Sequence, residues 1–197
     1  MSKQRVFLTG ATGGMGFASL KEMLKDTDKQ DIVILARDSE KNRKILDPYR
    51  NTAGLEIVWG DLNDYEVVLK CVKDCDLILH IAAFVSPAAD YHPKQAMKVN
   101  YGSTRNLINA IYALGQQDKT RLVYIGTVAE TGDRMPPIHW GRVGDPIKPS
   151  MFDYYAVSKV AAERLVIESG LKYWVSLRQT GIIGKAMSQI NDAIMFH

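Results

Sequence analysis

Apolar residues fall along this chain in short, nearly unbroken runs rich in β-branched side chains. They are "RVFLTG" (5–10), "DIVILA" (31–36), "LEIVW" (55–59), "DLILHIAA" (76–83), "RLVYIG" (121–126) and "YWVSLR" (173–178). A run that does not alternate with polar residues is what a strand covered on both faces requires. Between them lie segments with apolar positions three and four apart, among them "FASLKEMLK", "NLINAIYALG" and "VAAERLVIES", which predict helices. The alternation predicts an α/β fold: a Rossmann-like doubly wound parallel sheet with helices on both faces and right-handed crossovers.

Two places break this rhythm. From Thr131 to Phe152 the chain has no clear period and carries Pro136, Pro137, Pro146 and Pro149, four of its seven prolines. A loop that long in a compact domain is usually functional, and it is read as part of a substrate-facing rim. The second break is "SQINDAIMFH" at the end, where a helical pattern with Ile190, Ile194 and Met195 starts and stops without a cap. Residues 1–184 are therefore expected to form one domain, with 185–197 the start of a further region cut short.

At 197 residues and 46% hydrophobic, the chain supports one sizeable core. With 25 Lys+Arg against 22 Asp+Glu it carries no strong field for nucleic acid or an anionic membrane, so any anion must be recognised locally. No window approaches the roughly 18 apolar residues of a membrane span, and the glycine-rich N-terminus does not read as a signal peptide, so a cytoplasmic protein is expected. Cys71 and Cys75 have no Cys or His partners at metal spacing and are expected to be reduced and structural, with no metal site.

The first run leads into "VFLTGATGGMGFASL". Gly10, Gly13 and Gly16 are spaced three apart, with Thr12, Gly14 and Met15 between them, at the junction of first strand and first helix. Glycine allows a tight turn close to a pyrophosphate, and the helix N-terminus attracts its charge. This context makes the motif a dinucleotide site. At the end of the second strand an acid would bind the ribose of NAD and an arginine the 2′-phosphate of NADP. Arg37 stands there, with Asp38 next to it, so NADP is favoured over NAD. Lys41, Arg43 and Lys44 add charge nearby or form an ordinary solvated face. After the third strand, Asp61 is placed to accept from an adenine amino group beside the Leu62 backbone, or else caps the following helix. Ala82 and Ala83, small residues ending the fourth run, would let a cofactor pass close to backbone. His80 reads as a packed residue.

"FDYYAVSKVAAERLV" puts Tyr155 and Lys159 four apart, on one helix face. A nearby ammonium would lower the phenol's pKa from its usual value near 10 and suit it to acid–base work. Thr127 lies just past the fifth run, at the sheet end where ligands bind, and either orients a substrate carbonyl or satisfies loop backbone.

In order, "FLTGATGGMG", "GDL", "HIAA", "VNYGSTRNLINA", "LVYIGTVAETG", "YYAVSK" and "LRQTGIIG" resemble the extended short-chain dehydrogenase/reductase family, which includes NAD-dependent epimerases and dehydratases. The resemblance covers nearly the whole chain. It implies a Rossmann fold, a bound nicotinamide dinucleotide and Tyr155 as acid–base residue. It further implies that Lys159 tunes Tyr155 and holds the cofactor, that Thr127 fills the usual serine or threonine position, and that Asn100 supports the active-site helix and proton relay. Tyr154 is out of register with Lys159. Family members that dehydrate sugar nucleotides usually carry Asp-Glu after the threonine. Val128 and Ala129 stand there and argue against a 4,6-dehydratase. Thr131 replaces the usual tyrosine of "VYG", which leaves an epimerase open. The expectation is hydride transfer between the cofactor and a small-molecule carbonyl or alcohol, with a nucleotide-sugar epimerase or a non-catalytic redox sensor as alternatives. The resemblance also implies a homodimer through the "NLINAIYALG" and Tyr/Lys helices, although burial within one chain explains their apolar residues equally well.

Overall fold

A computed structural model describes residues 3–132, 142 and 144–182. The chain alternates strand and helix: β1 (Gln4–Thr9), α1 (Gly14–Met23), β2 (Gln30–Ala36), α2 (Glu40–Leu46), β3 (Leu55–Trp59), α3 (Tyr65–Val72) and β4 (Leu77–His80). Two short helices, α4 (Ala88–Tyr91) and α5 (Pro93–Ala96), run through a π turn (Met97–Tyr101) into α6 (Gly102–Ala113). Then come β5 (Arg121–Thr127), a 3-10 turn (Val128–Thr131), α7 (Tyr154–Ile167) and β6 (Tyr173–Gln179). The strands form one parallel sheet in the order β3-β2-β1-β4-β5-β6. The order reverses between β1 and β4, the switch point outside whose carboxyl ends open α/β sheets form a binding crevice.

The unbroken apolar runs have the predicted cause. Phe7, Val33 and Leu35 point to one face, against Val68 and Val72 of α3, Leu107 and Ile111 of α6, and Ala162 and Val166 of α7. Leu8, Ile32 and Ile34 point to the other, against Leu20 of α1 and Leu46 of α2. With period-two alternation and both faces covered, every position must be apolar. Cys71 and Cys75 are buried, unpaired thiols, each pushed up to about 12 by burial, as expected of structural cysteines.

β6 departs from the expectation of cover on both faces. Tyr173, Trp174, Val175 and Leu177 are each at least 40% exposed. The reason is position: among the described residues β6 is an edge strand, paired only with β5. β4 ends at His80, short of the predicted run, because the amides of Ile81 and Ala82 donate to Thr9 Oγ1 at 3.0 Å instead of to a strand. The residues 185–197 expected to begin a second region lie outside the described residues, as do Pro136 and Pro137. Among the described residues no helix is long and apolar enough to cross a membrane.

His80 is fully enclosed and ties the two sheet halves to α6. Thr9 Oγ1, already accepting two amides, lies 2.9 Å from Nδ1, and Thr104 Oγ1 lies 3.0 Å from Nε2. Thr104 in turn donates to the Asn100 carbonyl at 2.8 Å. These bonds assign a neutral ring with its proton on Nε2. Burial, and then the charge of Lys159, push the His80 pKa down to about 3. The unfolded chain therefore binds a proton below about pH 6.5 that the native state refuses, and stability falls as pH drops from about 6.5 toward 3. Urea denaturation should show roughly 2 kcal/mol less stability from this group at pH 5 than at pH 7, and His80→Gln should flatten that slope. An unchanged slope in the variant would contradict the assignment.

Candidate active site

The turn after β1 is built from its glycines. Gly10 has φ +74°, and a Cβ there would sit 2.9 Å from the Ala82 backbone, so only glycine lets the β1 and β4 ends close on one another. A Cβ on Gly16 would lie 2.0 Å from the Gly10 carbonyl, which fixes how closely α1 approaches the turn. Gly13 is different: it is the N-cap of α1, has an ordinary φ, and no side chain caps the helix there. Its outer face is open, and the first amides of α1, from Gly14 and Met15 onward, have no side-chain acceptor at the cap. Thr12 is half-buried in the same turn.

Arg37 is exposed just past β2, and its carbonyl accepts from Asn42 Nδ2. Asp38 is engaged: Arg43 grips both its oxygens at 2.6 and 2.7 Å and lies 4.8 Å over the Trp59 ring. The Arg43 hydrogen bond holds the Asp38 carboxyl below the usual range. Arg43 is therefore no anonymous part of a solvated helix face. Asp61 does not cap α3, as one sequence reading had it. Its Oδ1 accepts the amide and side chain of Asn63 in a local turn, while Asp64 caps the helix through Glu66 and Val67. Leu62 offers its carbonyl to Asn106. Ala82 and Ala83 lie in the loop after β4.

Thr127, at the end of β5, and Tyr155, in the first turn of α7, line one cleft of about 500 Å³ with Val128, Ala129, Ser150 and Asp153. Asp153 caps α7 through the Ala156 amide and so orients the turn that carries Tyr155. Gly132, at φ +65°, packs against Lys148, and Lys148 N–H donates to the Glu130 carbonyl. These contacts bring Ser150 and the end of the long loop onto the cleft.

Asn100 sits in the π turn, a deviation that recurs at functional sites. Its Oδ1 accepts from the Phe84 amide at 2.7 Å, and its Nδ2 donates to the Phe84 carbonyl and to Ser158 Oγ. Ser158 donates onward to the Tyr155 carbonyl at 2.8 Å. Asn100 thus braces the Tyr155 helix against the loop after β4.

Lys159 corrects an expectation. Its ammonium donates to the Ile125 carbonyl at 2.6 Å and lies 4.0 Å over the Tyr124 ring, almost wholly buried. It points into the protein behind the cleft. Burial raises the Tyr155 pKa to about 12, and the opposing pull comes from the Thr127 hydroxyl, not from the lysine. Burial likewise lowers the lysine's own pKa, against the attraction of Glu130 and Glu163.

Glu130, Glu163 and Arg178 form a cluster that the sequence reading missed. Glu130 Oε1 accepts the Thr127 amide in a Thr-x-x-Glu capping box, and both carboxylates are essentially inaccessible. Arg178 clamps Glu163 at 2.9–3.2 Å and approaches Glu130 at 3.4 Å. The capping-box spacing was a signal available in "TVAE". Among the described residues no cluster could hold a metal ion.

Residues 6–195 match the NAD dependent epimerase/dehydratase family. The chain belongs to that family. It is 29% identical over 115 residues to the inverting UDP-N-acetylglucosamine 4,6-dehydratase of Campylobacter jejuni, covering 58% of this chain and 34% of that protein. It is also 29% identical to the 3β-hydroxysteroid dehydrogenase/Δ5→4-isomerase of Vaccinia virus, covering 90% of this chain and 52% of that one. The structure of the Bordetella bronchiseptica enzyme WbmG with NAD and UDP superimposes with a TM-score of 0.78 at 21% identity, over 97% of this chain and 58% of that chain. The chain therefore spans about half the length of such relatives, and WbmG shows the fold alone.

For a member of the epimerase/dehydratase family, the residues of the β1 turn fit a dinucleotide. The uncapped α1 terminus and the open Gly13 face supply donors and room for a pyrophosphate, and Gly10 and Gly16 hold that shape. Arg37 and Arg43 stand at the β2 end and Asp61 at the β3 end, all at the carboxyl edge of the sheet. The two glycines should separate by experiment. Gly16→Ala should cost about 1–3 kcal/mol in urea denaturation because backbone must move, whereas Gly13→Ala should cost below about 1 kcal/mol. Equal costs would contradict the packing described.

Proposed function

We propose that the chain binds NADP, or else NAD, and interconverts a carbonyl and an alcohol on a small-molecule substrate. The observation that carries this reading is the meeting of Thr127 and Tyr155 in one cleft at the carboxyl end of the sheet, beside the β1/β4 crevice. A bound nicotinamide dinucleotide supplies or accepts the hydride. Thr127 orients the substrate oxygen, and the Tyr155 hydroxyl gives it a proton in reduction or takes one in oxidation. Burial pushes the Tyr155 pKa up to about 12, which favours the protonated phenol near neutral pH, the state needed to donate. Asn100 keeps the Tyr155 turn in place, and Lys159 supplies the positive charge behind it.

Arg37, and the neutralisation of Asp38 by Arg43, support NADP: the one acid beside the β2 end is already paired. Val128 and Ala129 line the cleft where an eliminating enzyme needs an acid and a base, which supports carbonyl reduction or epimerisation over dehydration. A homodimer through α6 would use its outward residues Arg105, Asn109 and Tyr112, because Leu107, Ile108 and Ile111 are spent in the core.

Titration of the full chain with NADPH and NADH, followed by nicotinamide fluorescence, is expected to show tighter binding of NADPH. NADH preference would overturn the Arg37 assignment, and no binding of either would overturn the cofactor reading. Turnover against a panel of ketones, aldehydes and UDP-sugars should fall about 10²–10⁴-fold in Tyr155→Phe with dinucleotide affinity retained. Retained turnover would contradict Tyr155 as the acid. Interconversion of UDP-sugars with no net cofactor consumption would mark an epimerase, and binding without any turnover a redox sensor.

A further inference from the structure

Behind the cleft, three buried charged side chains meet a half-buried fourth: Glu130 from the turn after Thr127, Lys159 and Glu163 on successive turns of α7, and Arg178 from β6, which keeps a quarter of its side chain exposed. Their hydrogen bonds do not balance. Glu163 is fully served, with Ser176 donating to Oε1 and Arg178 donating to both oxygens. Glu130 Oε1 holds the Thr127 amide. Glu130 Oε2 is buried and has no hydrogen-bond partner: Arg178 Nε is 3.4 Å away but committed to Glu163. A bare carboxylate oxygen in such a place is costly.

The two carboxyl groups converge on Arg178 Nε, Glu163 at 3.1–3.2 Å and Glu130 Oε2 at 3.4 Å, and they face each other there. One proton on Glu130 Oε2, donated to the Glu163 carboxylate, removes the orphan and the repulsion together. We propose that Glu130 and Glu163 share one proton, and that Glu130 is thereby a positioning residue that sets the charge of Lys159. Burial, and then Glu163, raise the proton affinity of Glu130. Burial lowers that of Lys159, and Glu130 is the largest charge opposing the loss. When Glu130 gives up the shared proton at alkaline pH, its new negative charge adds to that of Glu163 and helps hold the lysine positive against burial. The other groups facing the cluster are Tyr124 and the Thr127 amide from β5, Tyr155 from α7, Ser176 from β6 and His80 from β4. Asp145 reaches Arg178 from the loop. Glu163 is the second anion that attracts Lys159, and none of these other groups adds a third.

The role assigned to Glu130 rests on Lys159 belonging to the proposed catalytic set, so the test uses neither cofactor nor substrate. The full chain, labelled with carboxyl ¹³C in glutamate and Nζ ¹⁵N in lysine, is titrated by NMR from about pH 4 to 10. One glutamate carboxyl should keep its proton beyond about pH 6, well above the ordinary range, and should be missing from Glu130→Gln. The Lys159 Nζ signal should move in step with that carboxyl, as coupled groups do. In Glu130→Gln, whose amide oxygen can still accept from Thr127, Lys159 should lose its proton at least about tenfold more readily. If every wild-type glutamate titrates in the ordinary range, there is no shared proton. If Lys159 titrates independently of the carboxyl, or unchanged in a folded Glu130→Gln, Glu130 does not position it. Failure to bind dinucleotide would leave each of these results standing.

Discussion

The contact on which the rest of the molecule depends is the closure of the β1 end against the β4 end at Gly10. Its left-handed φ and the 2.9 Å that a Cβ would leave to Ala82 mean that two backbones touch where any side chain would hold them apart. Thr9, the residue before, then uses one hydroxyl to accept two amides of the β4 loop. Together they place the open Gly13 face, the α1 terminus and the Ala82–Ala83 loop on one edge of the sheet. The open helix terminus in the β1 turn is thus a consequence of packing.

The second constraint is polar and internal. From Thr9 through His80 and Thr104 to the Asn100 backbone, and from the Asn100 side chain through Ser158 to Tyr155, one chain of hydrogen bonds runs from β1 to the cleft. Each member is satisfied, which is the condition under which buried polar groups rigidify a core. The glutamate cluster behind Lys159 is the exception, with one orphaned oxygen beside an inward-pointing ammonium.

What could be read from sequence followed the range of the interaction. Runs such as "DIVILA" announced β2, since burial on both faces leaves its mark residue by residue. The glycine loop was legible because φ and close approach restrict each glycine locally. α2 and α3 were expected, as the helix bearing Lys41, Arg43 and Lys44 and the helix after Asp61, but without bounds; their caps, Ser39 and Asp64, were the readable signal of where they start. Asp61 and Asp64 have the same chemistry three positions apart, and only the turn made by Asn63 decides between them. Helical spacing correctly put Tyr155 and Lys159 on neighbouring turns. It could not tell that Lys159 would be drawn inward by Ile125, a strand residue 34 positions earlier. Exposure of β6 was equally illegible, because strand order is a property of the whole sheet.

The central claim is that the β1/β4 crevice is a nicotinamide dinucleotide site whose shape is set by Gly10 and Gly16. The most direct measurement is amide ¹H–¹⁵N chemical-shift mapping of the chain as NADP⁺ or NAD⁺ is added. The largest changes should fall on Gly13, Gly14 and Met15, with a second group at Ala82 and Ala83 and little effect on the far ends of the strands. Saturable changes centred elsewhere, or none with either dinucleotide, would contradict the account.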